Sequence, residues 1–140
     1  AGLDPQARQL IWQKIRNLQH EGVSVLLTTH YMEEAAALCD RVILMNEGKI
    51  LLEGTPRELI SHEIGQEVVE VWDVDETLRR YIDEKRWPQD RSDNRSYLYD
   101  RVGGVIALEL NRDFPRQPRM IRPATLEDVF LHRTGRTLAK

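Results

Sequence analysis

Apolar positions change their spacing along this chain, and each change marks an element. Ala7, Ile11, Ile15 and Leu18 recur at helical intervals behind Asp4-Pro5. A carboxylate there can cap a first turn, and a proline with preset φ gives up no needed N–H, so the pattern predicts an amphipathic helix. Gly22 supplies its stop. Val23-Ser24-Val25-Leu26-Leu27 is a nearly continuous apolar run, as expected of a strand covered on both faces and hence of a parallel sheet. Ala35-Ala36-Ala37-Leu38 predicts a second helix ending at Cys39. Val42-Ile43-Leu44-Met45 and Ile50-Leu51-Leu52, joined across Asn46-Glu47-Gly48-Lys49, predict a hairpin.

A boundary falls near 61–66. Thr55 as cap and Pro56 in the first turn open a helix through Leu59 and Ile60 that fades at Gly65. Beyond it, Val68-Val69-Glu70-Val71-Trp72 predicts a strand, and Asp75 caps a helix with Leu78, Tyr81 and Ile82 on one face. Residues 96–101 and 105–110 read as two strands across Gly103-Gly104, with Tyr97 and Tyr99 on one face as cross-strand packing partners. Pro115 and Pro118 leave room for a loop between Leu110 and Arg122. Thr125 with Asp128 forms a capping box for a last helix that buries Leu126, Val129 and Phe130 and ends at Gly135. The expected organisation is an α/β piece over residues 1–65 and a small α+β extension over 66–140.

His30 is the candidate chemical residue. It falls just past the carboxyl end of the predicted buried strand, where open α/β sheets place their ligands. An imidazole there can donate to a phosphate oxygen, or orient a water and a phosphoryl group as charge develops between them. On this residue alone a simpler reading stands beside it, in which Thr29 or His30 merely opens the next helix.

The order of the motifs adds to this. Residues 1–8, Ala-Gly-Leu-Asp-Pro-Gln-Ala-Arg, resemble the D-loop and following helix of the ATP-binding subunits of ABC transporters. Residues 26–59, beginning Leu26-Leu27-Thr28-Thr29-His30-Tyr31-Met32-Glu33-Glu34-Ala35, resemble the switch-histidine segment with its downstream strands. The match runs to about Ile60. Residues 29–35 and the closing block Ala124-Thr125-Leu126-Glu127-Asp128-Val129-Phe130-Leu131 are most similar to the exporter branch that handles drugs, lipids or polysaccharide-like cargo. The region from Glu67 onward resembles the carboxyl-terminal extension that many exporter ATPases carry, although the family usually has another helix between Leu110 and Arg122.

The resemblance implies a partial ABC ATPase core, with parallel-sheet strands, helices and a hairpin, followed by the α+β extension. It implies that His30 is catalytic and contacts the γ-phosphate of ATP, and that Gly2, Leu3 and Asp4 form a D-loop at a dimer interface. ATP and Mg are the implied cofactors of the full-length parent. A second ATPase subunit, in a homodimer, and a transmembrane permease are the implied partners; the protein would sit in the cytoplasm, peripheral on the inner face of the cell membrane through the permease. No G-x-x-x-x-G-K-[ST] loop occurs, since Gly48-Lys49 is followed by Ile50 and lacks the leading glycine. The family's LSGGQ-type motif, magnesium-binding aspartate and catalytic glutamate are missing too. The expectation is therefore the carboxyl-terminal portion of an exporter ATPase subunit, catalytically inert alone and binding no cofactor tightly. The alternative is a non-catalytic dimerisation or membrane-subunit-docking module built on residues 67–140. A third reading is an unrelated small α/β regulator in which a few residues mimic ABC motifs.

Composition fits an ordinary globular chain, with 140 residues, 41% hydrophobic and 31% charged. No apolar run approaches the roughly 20 residues of a spanning helix, and no secretory leader is expected. A net charge of −3 does not indicate nucleic acid. Cys39, the single cysteine, has no intrachain disulfide partner and suits buried packing. No metal site is expected, because His20, His62 and His132 lack ligand spacing. The charge is polarised: residues 61–100 carry six basic and eleven acidic side chains, whereas 101–140 carry eight and four. Arg112, Arg116, Arg119 and Arg122 either face an acidic partner surface or anionic lipid, or are balanced locally by acids.

Overall fold

The computed structural model describes residues 4–135. Helix α1 (Pro5–His20) opens as expected, with the Asp4 carboxylate accepting a 2.8 Å bond from the Ala7 N–H. It closes in a Schellman turn, in which Val23 N–H donates to Leu18 C=O and Gly22 N–H to Gln19 C=O, with Gly22 at φ 85°. The side chain it buries is Trp12, not the expected stripe, for Ile11 and Leu18 are exposed.

Residues 23–29 have no regular secondary structure and form no ladder. This corrects the expected parallel-sheet strand at 23–27: Val23, Val25 and Leu26 are exposed, and both sheets among the described residues are antiparallel. A strand exists only where a neighbour takes up its N–H and C=O groups, and none does here among the described residues. Helix α2 (Met32–Leu38) follows. Strands β1 (Val42–Asn46) and β2 (Lys49–Gly54) make the expected hairpin, turned by Glu47 at φ 52° and Gly48 at φ 74°. Two consecutive positive φ values are the geometry of a type I′ turn, which matches strand twist. Helix α3 (Pro56–Glu63) carries a complete capping box from Thr55 and Glu58.

The remaining elements are β3 (Glu67–Val71), α4 (Glu76–Lys85), β4 (Gln89–Ser92), β5 (Arg95–Asp100), α5 (Val105–Asp113), β6 (Arg119–Pro123) and α6 (Leu126–Thr134). The four strands form one antiparallel sheet in the order β4-β5-β3-β6. That order, with a β-α-β-β-α-β chain path, is the split β-α-β, or ferredoxin-like, arrangement. On one face Val69, Val71 and Leu98 pack with Leu78 and Ile82 of α4 and Ile106 and Leu110 of α5. On the other, Val68, Tyr97 and Tyr99 pack with Leu59 of α3, Ile64 and Leu126, Val129 and Leu131 of α6. Ala35 of α2 and Val42 and Leu44 of β1 belong to this second cluster, so one core joins residues from before and after position 65.

Two expectations for the extension are corrected. Residues 105–110 are helix rather than strand, because the buried carboxylate of Asp100 accepts from the N–H groups of Val102 at 3.0 Å, Gly104 at 3.0 Å and Ile106 at 3.2 Å. It caps α5 from outside the usual cap position, which Gly104 occupies at φ 96° with no side chain to offer. The expected loop between Leu110 and Arg122 holds the end of α5 and the first part of β6. Its prolines are placed without loss. Pro118 accepts from Trp72 N–H and Ala124 donates to Gln66 C=O, so even-numbered residues bond β3 while Pro123, with no N–H, faces the open edge.

Arg122 ties the second face together. It pairs with both carboxylate oxygens of Asp128 at 2.7 Å and with Glu70 at 3.3 Å, while Asp128 also completes the capping box of α6. The paired Asp128 carboxylate, and Glu70 behind it, hold the guanidinium more firmly charged than usual despite its burial.

Two outcomes follow from this packing. Gly65 sits at φ +118°, where an added Cβ would meet Asp100 O at 3.2 Å and the Arg101 Cγ at 3.1 Å. Gly65→Ala is expected to cost about 1–3 kcal/mol, read as a lower urea midpoint. Tyr81 is pushed up to about 12 by burial and then by its hydrogen bond to Asp113. Between the unfolded value of about 10 and that value the unfolded chain holds fewer protons, so stability falls as pH rises through this window. Tyr81→Phe is expected to make urea midpoints measured from pH 9 to 11 less steep, and an unchanged slope would contradict this.

Candidate functional site

His30 lies between the unladdered segment 23–29 and the opening turn of α2. Thr29 Oγ1 accepts a 3.0 Å bond from Tyr31 N–H, a local turn that presents the intervening residue outward. The His30 ring is exposed, and its centroid stands 4.3 Å from that of Tyr31 at an interplanar angle of 31°. Such an imidazole is free to donate to, or accept from, a group that approaches from solvent. Tyr31, rather than Thr29 or His30, is the cap residue of α2, and it supplies no side-chain cap bond.

Asp4 is exposed, and one of its oxygens is engaged in capping α1. Gly2 and Leu3, expected beside it at a dimer interface, lie outside the described residues. No hydrogen bond or ion pair joins Asp4 to His30 among the described residues. What the fold does bring together is the pair of helices that carry them. Trp12 Nε1 donates to Glu34 Oε2 at 3.0 Å, and Gln19 Nε2 donates to Leu38 C=O at 3.0 Å. Arg8 and Arg16 lie over the indole of Trp12, at 5.1 Å and 5.9 Å from its centroid. Sequence reasoning passed over Trp12 and Glu34. The available signal was the tryptophan itself, on the same amphipathic helix, since an indole is seldom left without cover or a partner for its N–H.

The other candidates are structural. Cys39 is half-buried, and burial, then Asp40 and Glu34, raise its thiol, so it stays protonated and packs. His20 and His62 are exposed, and His132 meets Asp90 at 3.0 Å with its ring edge-on to Tyr99. Among the described residues no three His, Cys, Asp or Glu side chains are grouped to hold a metal ion. Of the four arginines, Arg122 pairs with Glu70 and Asp128, Arg112 with Asp113, and Arg119 bonds Asn111 and the carbonyl of Gln117. Local acids therefore balance two of them, and Arg119 is held by neutral acceptors. An open cleft of about 750 Å³ between Glu70, Arg95, Tyr97, Arg122 and Asp128 shares no residue with the His30 turn. No helix among the described residues is long and apolar enough to cross a membrane.

Comparison with protein-family profiles gives no match. Comparison with curated proteins gives many. The chain is 41% identical over 143 residues to the Nod factor export ATP-binding protein I of Ralstonia nicotianae, covering 98% of this chain and 44% of that protein. It is 42% identical over 139 residues to the protein of the same name from Burkholderia thailandensis, and 40% over 148 residues to that from Burkholderia pseudomallei, covering 98% of this chain and 45% of each. The chain thus spans somewhat under half the length of the curated relatives it matches. Over 98% of its length the chain is thus homologous to ABC transporter ATP-binding subunits of the exporter type, matching less than half of each.

Proposed function

We propose that this chain is the carboxyl-terminal part of the ATP-hydrolysing subunit of an ABC-type exporter, and that His30 is its contact to the γ-phosphate of ATP. The observation that carries the reading is the exposed imidazole held on a fixed turn ahead of α2, within a chain matched over 98% of its length by export ATP-binding proteins. Asp4, with Gly2 and Leu3, is assigned to the interface with a second ATPase subunit, and residues 66–140 to the extension. The partners proposed are that second subunit and a membrane permease, which would hold the protein at the cytoplasmic face of the membrane.

The residues present fit only one edge of a nucleotide site. His30 offers one donor, but the sequence has no glycine-rich loop to cradle a triphosphate, and no carboxylate cluster among the described residues suits Mg²⁺. The chain by itself is therefore assigned no hydrolytic step. In the whole subunit, where ATP supplies the phosphoryl group, His30 would donate to the charge that develops on the γ-phosphate.

A second reading, an interaction module in residues 67–140, is favoured by Val102, Val105 and Leu108, which leave an apolar outer face on and before α5. Sedimentation of the chain tests it. A monomer at high concentration removes the support for self-association.

For the main reading, the isolated chain is expected to show no magnesium-dependent ATP turnover above background. Turnover abolished by His30→Ala would overturn its inertness. In the full-length subunit the same substitution is expected to lower hydrolysis on the order of 100-fold while ATP binding persists, and an unimpaired variant would refute the assignment of His30.

A further inference from the structure

Trp12 is the one buried residue of α1, and its indole N–H points out of that helix into the first turn of α2. We propose that Trp12 and Glu34 are a positioning couple for ATP hydrolysis, setting the orientation of the His30 turn from the helix that Asp4 opens. The proposal rests on the reading of His30 given above.

The path is short and made of hydrogen bonds and one ring contact. The indole N–H donates to Glu34 Oε2 at 3.0 Å. Glu34 in turn hangs on Tyr31, whose C=O accepts the N–H of Glu34 at 3.1 Å and of Ala35 at 3.2 Å. Tyr31 carries the ring against which His30 lies, and its own N–H is held by Thr29. Moving Glu34 therefore moves the backbone on both sides of His30. At the far end, Gln19 binds the Leu38 carbonyl, so α2 is fixed at two points and cannot swing about one.

The chemistry suits positioning rather than bulk packing. A hydrogen bond to a carboxylate is shorter-ranged in its tolerance and stronger than a neutral one. Arg8 and Arg16 both lie against the indole, which restricts the donor, and Glu34 lies in the first turn of α2, where the helix dipole favours a negative charge. Burial alone asks only that the N–H find some acceptor; here the acceptor is a charged group on the helix that follows His30.

The test uses the full-length subunit and compares Trp12→Phe, Glu34→Leu, the double variant, Glu34→Gln and His30→Ala for kcat, KM and thermal midpoint. Trp12→Phe keeps an aromatic ring, though a smaller one, and removes the donor, whereas Glu34→Gln keeps an oxygen acceptor. Trp12→Phe and Glu34→Leu are each expected to lower kcat about fivefold to twentyfold with KM for ATP within about twofold. The double variant is expected to match the worse single, and Glu34→Gln to retain most of the activity, because one bond is being broken. Singles within twofold of wild-type kcat, effects that multiply in the double variant, or a loss that follows the fall in thermal midpoint overturn the couple. Full activity in His30→Ala sinks the reading of His30 and the couple with it. Loss in His30→Ala beside wild-type kcat in the other variants sinks the couple alone.

Discussion

Strand β3 must hide side chains on both faces of its sheet, and the rest of the structure follows from how each face is covered. Val69 and Val71 are covered by the two helices of the split β-α-β unit itself. Val68 looks the other way, toward a face that such a unit leaves open. Helix α6 closes that face, and it does so together with α3 and α2, against both of which it packs. The final helix is thus a wedge between the sheet and the segment that bears His30. A four-stranded sheet with one bare apolar face would be marginal in water, so the wedge is a condition for the extension's stability rather than an ornament on it.

The ion pairs make sense in this setting. The second face narrows at the Glu70 end of β3, where apolar cover gives way to Arg122, Arg95 and Asp128. Burying Glu70 or Asp128 alone would be costly, and the planar guanidinium of Arg122 serves both, one of them through two parallel bonds. Asp128 then does double duty, holding Arg122 and the N–H of Thr125. The acidic and basic halves of the extension are polarised along the chain and interleaved in space. Of the charge that looks like a partner surface in the sequence, Arg122 is spent inside the fold and Arg112 on a neighbouring surface acid.

The His30 turn stands in contrast to this. It is anchored below, through Tyr31, Glu34 and Trp12, and open above. Val23, Val25 and Leu26 beside it are apolar and exposed, and Ile43, Met45 and Ile50 leave an apolar face on the hairpin. Large apolar side chains left so exposed are the kind another segment or chain covers, and the curated relatives are more than twice as long as this chain.

Local chemistry was readable wherever a few neighbouring residues decide the outcome. Asp4-Pro5, the Thr55 and Thr125 capping boxes, the Glu47-Gly48 turn and the stops at Gly22 and Gly135 each depend on bonds within one turn of chain, and each stands where the residues put it. The identity of His30 as a candidate was likewise carried by its neighbours in sequence. Tertiary structure alone decided the rest. The apolar run at 23–27 has strand chemistry but no ladder among the described residues, because pairing needs a second backbone. Residues 105–110 carry Ile106 and Leu110 at helical spacing, yet their β-branched start reads as strand until the Asp100 carboxylate is folded over their N–H groups. The partners of Trp12 and Arg122 were hidden for the same reason. A side chain announces its chemistry in sequence, but the donor or acceptor that satisfies it is chosen by packing between residues far apart along the chain, 22 positions for Trp12 and Glu34 and 52 for Arg122 and Glu70.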